Sequence, residues 1–554
     1  MNAGGGGHDS CVSAQVFVNG RLFDGHRYAG AGAVAVRDGR IVAVGDPADA
    51  QDRVGPGAEE VDCAGGLLLP GFQDAHMHPM VGGLERLRCE MSSLEGVEEY
   101  LPALREATAR QSGAAWFRGG GWSVDAFGPH GPTAELLDRV VPDKPAFLPS
   151  TDHHDAWVNT RALEVAGITA DTPDPSDGWI ERDERGNPTG TLREGAQRLV
   201  WEHVETTRQE YADALCEAQS YLHSWGITGW HDALIGGYAG LDDPTQAYLD
   251  LLAAGDLRAH VRCSQWWDRH RGVEQVDDLL AQRDRLAAAG LDAGSVKVMM
   301  DGIAETFTAT VEAPYEGDLH CPCGDRGLAF LDPEQVREAV VAIDGAGLAA
   351  HFHAIGERAV HDALDAVEAA RVANGMRGLR HQLAHLQLVR PADRGRFGAL
   401  GVTANVQGMW ISRDTPAVKL LLPHLDAERA AWHYPLAEIA ARGAHLAGGS
   451  DWPVNPPEPI SGVHAMVNRA SWSPDGQAPE PLVPDEALGL EQALAAYTSG
   501  SAWVNHRGDS GILQVGARAD LVVLDRDPFD APPDEIGACE VVSTWFGGGR
   551  VFAR

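Results

Sequence analysis

The stretch Gly66-Leu67-Leu68-Leu69-Pro70-Gly71-Phe72-Gln73-Asp74-Ala75-His76-Met77-His78-Pro79-Met80 decides how the rest of the chain is read. An apolar run over 67–69 turns at Pro70-Gly71 and continues through Phe72 to two histidines one residue apart. On a strand, residues i and i+2 share a face. His76 and His78 therefore present two imidazoles side by side, and Pro79 ends the strand behind them. Imidazole is a favoured ligand for zinc and other divalent transition metals. The same pattern also describes two polar histidines on an edge strand. Further ligands elsewhere in the chain decide between the two.

At 554 residues the chain exceeds one ordinary domain, so two or three are expected. No run approaches the roughly 18 uninterrupted apolar residues that a membrane span needs. Residues 1–13 are glycine-rich and polar, lack the features of a secretory signal, and are expected to form a disordered tail. The eight cysteines have no framework spacing. The one tight pair, Cys321 and Cys323, is separated by a single residue, a poor spacing for a disulfide, and no second pair completes a Cys-rich zinc site. The expectation is a reducing, cytoplasmic protein with free thiols. A formal charge of −36 argues against nucleic acid or an anionic membrane as partner. A small-molecule substrate and a homodimeric assembly are expected.

Lysine occurs three times, at Lys144, Lys297 and Lys419, so 41 of the 44 basic residues are arginine. A chain that uses arginine for plain positive charge has placed one lysine inside an apolar strand, Ser295-Val-Lys-Val-Met-Met-Asp-Gly. That choice marks Lys297 as a candidate for chemistry.

From residue 14 to about 61 short alternating strands are joined by Gly, Asn and Asp turns, with Asp38-Gly39 a strong hairpin signal. The far C-terminus repeats the style in Ala519-Asp-Leu-Val-Val-Leu-Asp and Val541-Val-Ser-Thr-Trp-Phe-Gly-Gly-Gly-Arg-Val-Phe. Residues 14–69 and 508–554 are predicted to build one β-sandwich domain. Between them short apolar strands alternate with helical segments: after the His76 strand come 226–232, 258–266, 295–302, 348–354, 380–387, 401–407 and 444–452. Eight such units predict an α/β fold with a closed (β/α)8 TIM-like barrel, assigned to 70–90 and 207–507. The stretch 91–206 is too long for a barrel loop and is expected to be an inserted domain over the barrel mouth.

Chemistry in such barrels sits at the C-terminal strand ends. The polar residues fall there: Lys297 and Asp301 on strand four, His351 and His353 on five, His381 and His385 on six, Asp451 on eight. Any one of these could be a satisfied core or cap residue. Together with His76 and His78 they exceed one tetrahedral site, so one or two divalent ions, most simply zinc, fit.

The set resembles the amidohydrolase superfamily, most closely its amidohydrolase 3 branch with the N-substituted formamide deformylase-like enzymes. The resemblance rests on Pro70-Gly-Phe-Gln-Asp-Ala-His-Met-His-Pro, Val296-Lys-Val-Met-Met-Asp-Gly, His353-Ala-Ile-Gly-Glu-Arg-Ala-Val, Ala384-His-Leu-Gln-Leu and Gly449-Ser-Asp-Trp-Pro-Val. Asp152-His-His-Asp-Ala-Trp-Val-Asn-Thr-Arg-Ala-Leu and Gly516-Ala-Arg-Ala-Asp-Leu-Val-Val-Leu-Asp add to it, so it covers nearly the whole chain from about residue 14. The resemblance implies metal ligation by His76, His78, His353, His385 and Asp451. It also implies that Lys297 is carbamylated and bridges two metals; an unmodified Lys297 would favour a mononuclear site of His76, His78, His353 and Asp451. Ala384 departs from the Glu that the branch often has before His385.

Asp451, Lys297 and His385 are the expected catalytic residues, with Asp451 shuttling a proton from water to the leaving nitrogen. Trp122, His154, Trp157, His231, Asp301 and Trp452 are expected to line the substrate pocket, His231 polarising the carbonyl oxygen. The implied activity is metal-dependent hydrolysis of a non-peptide C–N amide bond of the N-substituted formamide or N-acyl amine type. Ester, lactone or urea-like substrates are variants on the same site, and a catalytically silent regulatory or binding relative is the alternative of a different class.

Overall fold

The computed structural model describes residues 14–94, 96–237, 243–317, 319, 321 and 323–554. The expected tail, 1–13, lies outside the described residues. Eight parallel strands form the central sheet in chain order: Phe72–Met77, Ile227–Ile235, His260–Trp266, Asp292–Met299, Ala349–Ala354, Gln382–His385, Thr403–Gln407 and Leu446–Gly449. The ring is drawn shut at its C-terminal rim by two backbone bonds, Asp451 N to His76 O at 2.8 Å and His78 N to Trp452 O at 2.7 Å. Gly449 permits this closure: a Cβ there would stand 3.0 Å from His76 Cβ and backbone N.

Outward residues of the strands, such as Val296, Val298 and Phe352, join the apolar layer under the surrounding helices. Those helices carry clear local signals. Pro333–Gly345 begins with Pro at its first position and a capping box between Asp332 and Gln335. Glu357–Asn374 buries Val360, Ala363, Leu364 and Val367, a single stripe at helical spacing. Thr207 caps Arg208–Ser224 together with Glu210.

Both chain ends enter one eight-stranded sheet, in which Leu521–Leu524 of the C-terminal part pairs antiparallel with Leu67–Pro70 of the N-terminal part. Alternation sorts its side chains. Phe17, Val34, Val36, Leu68, Leu521, Val523 and Trp545 share one core, whereas Leu67, Leu69, Val522 and Leu524 face the barrel. Phe17 and Trp545 touch edge to face at 5.1 Å although two strands separate theirs, so the sheet folds over into a sandwich. The segment after the first barrel strand forms a separate five-stranded sheet, with apolar clusters on both faces.

Two expectations about bulk properties are amended or bounded. Cys321 and Cys323 are disulfide-bonded rather than free, because the loop after strand four brings their Cα atoms to 5.2 Å, within disulfide reach. Cys63, Cys89, Cys216, Cys263 and Cys539 are free thiols. Among the described residues no helix is long and apolar enough to cross a membrane.

Candidate active site

Strand alternation delivers the side chains. Ala75 and Met77 point outward into apolar clusters and His76 inward, while His78 follows at the start of the helix Pro79–Arg88. Between outward Val296 and Val298, Lys297 is 2% exposed, with Nζ 3.1 Å from His76 Nε2. His351 and His353 face inward on strand five, on either side of Phe352. His385 and Asp451 lie beyond simple alternation. They adopt left-handed backbone angles, φ 80° and 60°, a conformation uncommon for non-glycine residues and concentrated at functional sites. Asp451 is held there by its bond to His76 O, and His385 by its N–H to Gln407 Oε1 at 2.9 Å.

The donors converge. His76 Nε2 and His78 Nε2 each stand 3.3 Å from Asp451 Oδ1, and His385, whose Nδ1 donates to Gln407 Oε1 at 3.0 Å, brings that nitrogen to 3.8 Å from Asp451 Oδ2. Ligand atoms of His76, His385 and Asp451 all lie within 4.8 Å of one another. The His353 ring is 4.4 Å from that of His385, and its Nε2 bonds Gly302 O at 3.1 Å, which leaves Nδ1 without that partner. Burial holds His76, His353 and His385 well below their usual pKa, with Lys297 adding to this at each, so these imidazoles are neutral. Burial alone would raise Asp451, but the hydrogen bond from His78 and the nearby Lys297 ammonium help hold it at about 2. Neutral imidazoles around an ionised carboxylate are the protonation states that a divalent cation requires, so the donor set fits a metal.

These groups floor a cavity of about 160 Å³ between barrel and insertion. Its wall includes Met80, Val81, Trp201, Tyr211, Ile303 and Trp410, with Asp152, Asp232 and Glu305 as further acids. Trp410 stacks on His385, centroids 5.1 Å apart and planes 8° off parallel. A second cavity of about 210 Å³ shares His153, His154 and Met299 with the first.

Of the residues expected to line the pocket, His154 does so. Its Nδ1 is 2.7 Å from Glu194 Oε2, and although burial opposes its charge, Glu194 raises it to about 9. The other five are placed elsewhere. Trp122 and Trp157 are fully buried inside the insertion, donating to Leu148 O and Thr133 O at 2.8 Å, because that sheet needs its own core. His231 lies four residues before the end of strand two and bonds Ser264 below the cavity floor. Asp301 accepts N–H bonds from Thr310, Ile355 and Gly356, tying the loop after strand four to the end of strand five. Trp452 turns away from Asp451 and packs over Gly82 and against Tyr221. His381, at the other end of its strand, bonds Asp344. Sequence reading missed Trp410, Glu305, Glu194 and His153. The adjacent histidines His153-His154 were the available signal for the last.

Comparison with known proteins agrees with this geometry. A family model described as amidohydrolase family matches residues 59–552. Protein LONG AFTER FAR-RED 3 of Arabidopsis thaliana is 30% identical, over 94% of this chain and 88% of its own length. N-substituted formamide deformylase of Arthrobacter pascens is 28% identical, over 93% of this chain and 94% of its own. The crystal structure of an uncharacterized metal-dependent hydrolase from Pyrococcus horikoshii OT3 superposes with a TM-score of 0.71 at 26% identity, covering 94% and 99% of the two chains. The chain belongs to the amidohydrolase family.

Proposed function

We propose that this amidohydrolase cleaves a non-peptide C–N amide bond of a small N-acyl or N-formyl amine. The observation that carries the reading is the convergence of His76, His78, His385 and Asp451, with Lys297, under a covered cavity. The likeness to N-substituted formamide deformylase along almost the whole chain supports the bond type. His76, His78, His353, His385 and Asp451 would hold one or two divalent ions, zinc the simplest choice, with Lys297 as a carbamate bridging a pair. Such a cation supplies Lewis acidity and lowers the pKa of water from 15.7 to about 7.

The chain's own residues do the rest. Asp451, ionised and at the centre of the cluster, accepts the proton from the attacking water and returns it to the leaving nitrogen, since an amine leaves poorly unprotonated. His154, fixed at Nδ1 by Glu194, offers Nε2–H to the carbonyl oxygen as charge develops on it. Ile303, Trp410 and the insertion's Trp201 exclude water.

The cavity wall also limits the substrate. Among the described residues lining it there is no arginine, and Lys297 is its one lysine, whereas Asp152, Asp232 and Glu305 add acids. Burial raises Asp232 to about 6 and Glu305 above its usual value. A substrate carboxylate would meet no guanidinium there, and the cationic imidazole of His154 is already paired with Glu194, so neutral or cationic amides with an apolar arm are favoured. The test is a panel of N-formyl and N-acyl benzylamines and alkylamines set against N-acyl amino acids of equal size, with released amine and metal content both measured. Turnover of the amines in metal-containing protein is expected. Turnover confined to carboxylate-bearing substrates, to esters or to lactones would overturn the assignment, as would full activity in metal-free protein.

A further inference from the structure

Beneath the cavity floor runs a chain of side chains, each no more than 1% exposed: Asn405, Gln382, His231, Ser264, His351 and His76. The contacts are Asn405 Nδ2 to Gln382 Oε1 at 2.8 Å, Gln382 Nε2 to His231 Nδ1 at 3.2 Å and His231 Nε2 to Ser264 Oγ at 2.8 Å. Ser264 Oγ to His351 Nδ1 at 2.9 Å and His351 Nε2 to His76 Nδ1 at 2.7 Å complete it. The last ring is the one whose Nε2 faces Asp451.

The direction of most of these bonds is fixed by the backbone. The Ala75 carbonyl can only accept, so Asn405 must present its nitrogen to it, at 2.9 Å, and to Gln382. The His385 N–H can only donate, so Gln407 turns Oε1 to it and Nε2 to Asn405 Oδ1. The two anchors agree. Gln382 therefore donates to His231 Nδ1, and neutral His231 carries its proton on Nε2 and donates to Ser264.

Ser264 is the point where the direction is free. Its hydroxyl can pass its own hydrogen to His351 Nδ1, or its oxygen can accept from both imidazoles, having two lone pairs. In the first arrangement His351 donates from Nε2 to His76 Nδ1, which puts the His76 proton on Nε2, aimed at Asp451 but set against the Lys297 amine 3.1 Å away, and unable to ligate. In the second, His351 carries its proton on Nδ1 and accepts from His76 Nδ1–H, leaving His76 Nε2 bare. Net charge is the same in both.

We propose that Ser264 and His351 are positioning residues that set the tautomer of His76, and that metal loading selects the arrangement in which Ser264 accepts twice. The proposal rests on the metal site described above. A partner on the far nitrogen of a ligating histidine fixes its ring and tautomer, and its loss costs about 10–100-fold in metal affinity. Glutamine at 351 can take over the favourable pattern, with Oε1 accepting from His76 and Nε2 donating to Ser264. Phenylalanine fills similar space and offers neither.

The experiment titrates zinc against a competing chelator in the wild type, His351→Gln, His351→Phe and Ser264→Ala, with thermal melts to report folding. Histidine-15N NMR, which distinguishes the Nδ1–H and Nε2–H tautomers, is recorded on the metal-free and zinc-loaded wild type. His351→Phe and Ser264→Ala are expected to weaken zinc at least about tenfold and His351→Gln to stay within about threefold of wild type; the His351 signal should change tautomer on loading. Equal affinity in all four proteins overturns the proposal, and so does a His351→Gln as weak as His351→Phe. If His351→Phe does not fold, Ser264→Ala decides: unchanged affinity refutes the relay. A wild type that binds no zinc would instead refute the metal reading.

Discussion

Lys297→Arg keeps a positive charge at one of the most buried positions of the site and should nevertheless disable it. Burial pushes the Lys297 amine down to about 8, with the Asp451 charge opposing. At pH 7.5 about 24% of such an amine is neutral, against about 0.1% for an ordinary lysine, an enrichment of roughly 240-fold in the form that reacts with carbon dioxide. That reaction forms one N–C bond and releases one proton, converting the amine into an anionic carbamate. The product would carry anionic oxygens two bonds beyond Nζ, which stands 3.1 Å from His76 Nε2. Arginine stays charged at any accessible pH, cannot make the carbamate, and sets a larger cation against the metal donors. Lys297→Arg is therefore expected to lose bound metal and at least about a hundredfold in activity, the scale of a lost catalytic electrostatic group. Lys297→Ala should recover part of both when a short carboxylic acid is supplied. The assay pairs elemental analysis with turnover of the best substrate from the panel, with and without added bicarbonate. Full metal and full activity in Lys297→Arg would show that the lysine is structural and that the bridged pair does not exist.

Glu194→Gln removes the charge that holds His154 at about 9; His154 should then lose its proton at or below its ordinary value. The alkaline limb of the rate profile moves down by more than 2 units and activity at pH 7.5 falls at least about tenfold; an unmoved limb refutes the donor role. Glu210 joins the barrel side to the insertion through Arg88 at 3.2 Å and Arg118 at 2.6 Å. Burial would raise its pKa, but the Thr207 N–H and the two arginines bring it from 4.5 down to about 2. A depressed acid stabilises above its unfolded value and loses that stability as pH falls through the folded one. Glu210→Gln should thus cost on the order of 1–2 kcal/mol at pH 7, after discounting a partly exposed pair for screening, and progressively less from about pH 4.5 toward 2. A pH-independent difference in urea midpoint would contradict this. Asp344, fully buried, receives Arg371, Asn374 and His381, each at 3.0 Å. Asp344→Ala leaves the Arg371 charge nearly buried and unpaired and should cost about 3–5 kcal/mol in urea unfolding, with metal content of the folded fraction unchanged; a loss under 1 kcal/mol refutes the network's role.

The barrel was readable because each of its strands is a short apolar run with one face polar near its end, and that alternation survives without any tertiary information. His-x-His, Val-Lys-Val and His-x-His again on strand five put their inward residues on view directly. Pairing of the two chain ends was legible for the same reason: hairpin-rich alternation flanks a middle with a different rhythm. The disulfide was not, because Cys321 and Cys323 meet through a loop path that spacing alone does not specify. Trp122 and Trp157 show a further limit. An aromatic in an inserted segment reads equally well as a pocket wall or as the core of that segment, and the choice depends on a five-stranded sheet whose pairing order, with 178–182 at one edge and 117–118 at the other, no local pattern reveals.

Depth along a strand is the quantity the sequence supplied least well, and it separates the cavity residues from those beneath them. His231 and His353 look alike as histidines at the end of an apolar run. Yet strand two continues to Ile235, four residues past His231, whereas strand five stops at Ala354, one residue past His353. At about 3.3 Å per residue that difference of three residues is roughly 10 Å, enough to move a ring from the cavity wall to the barrel interior. There it meets Ser264 and supports the floor instead of touching substrate. Backbone angle hides the other half of the site. His385 and Asp451 point at His76 because both sit at positive φ, and neither is a glycine or asparagine that would announce such a turn. Asp451 is fixed there by its N–H on the very residue it faces, His76. The same bond that closes the barrel between its first and last strands therefore aims the carboxylate at the cluster, so a change that loosened the closure would be felt first as a loss of metal rather than as a loss of fold.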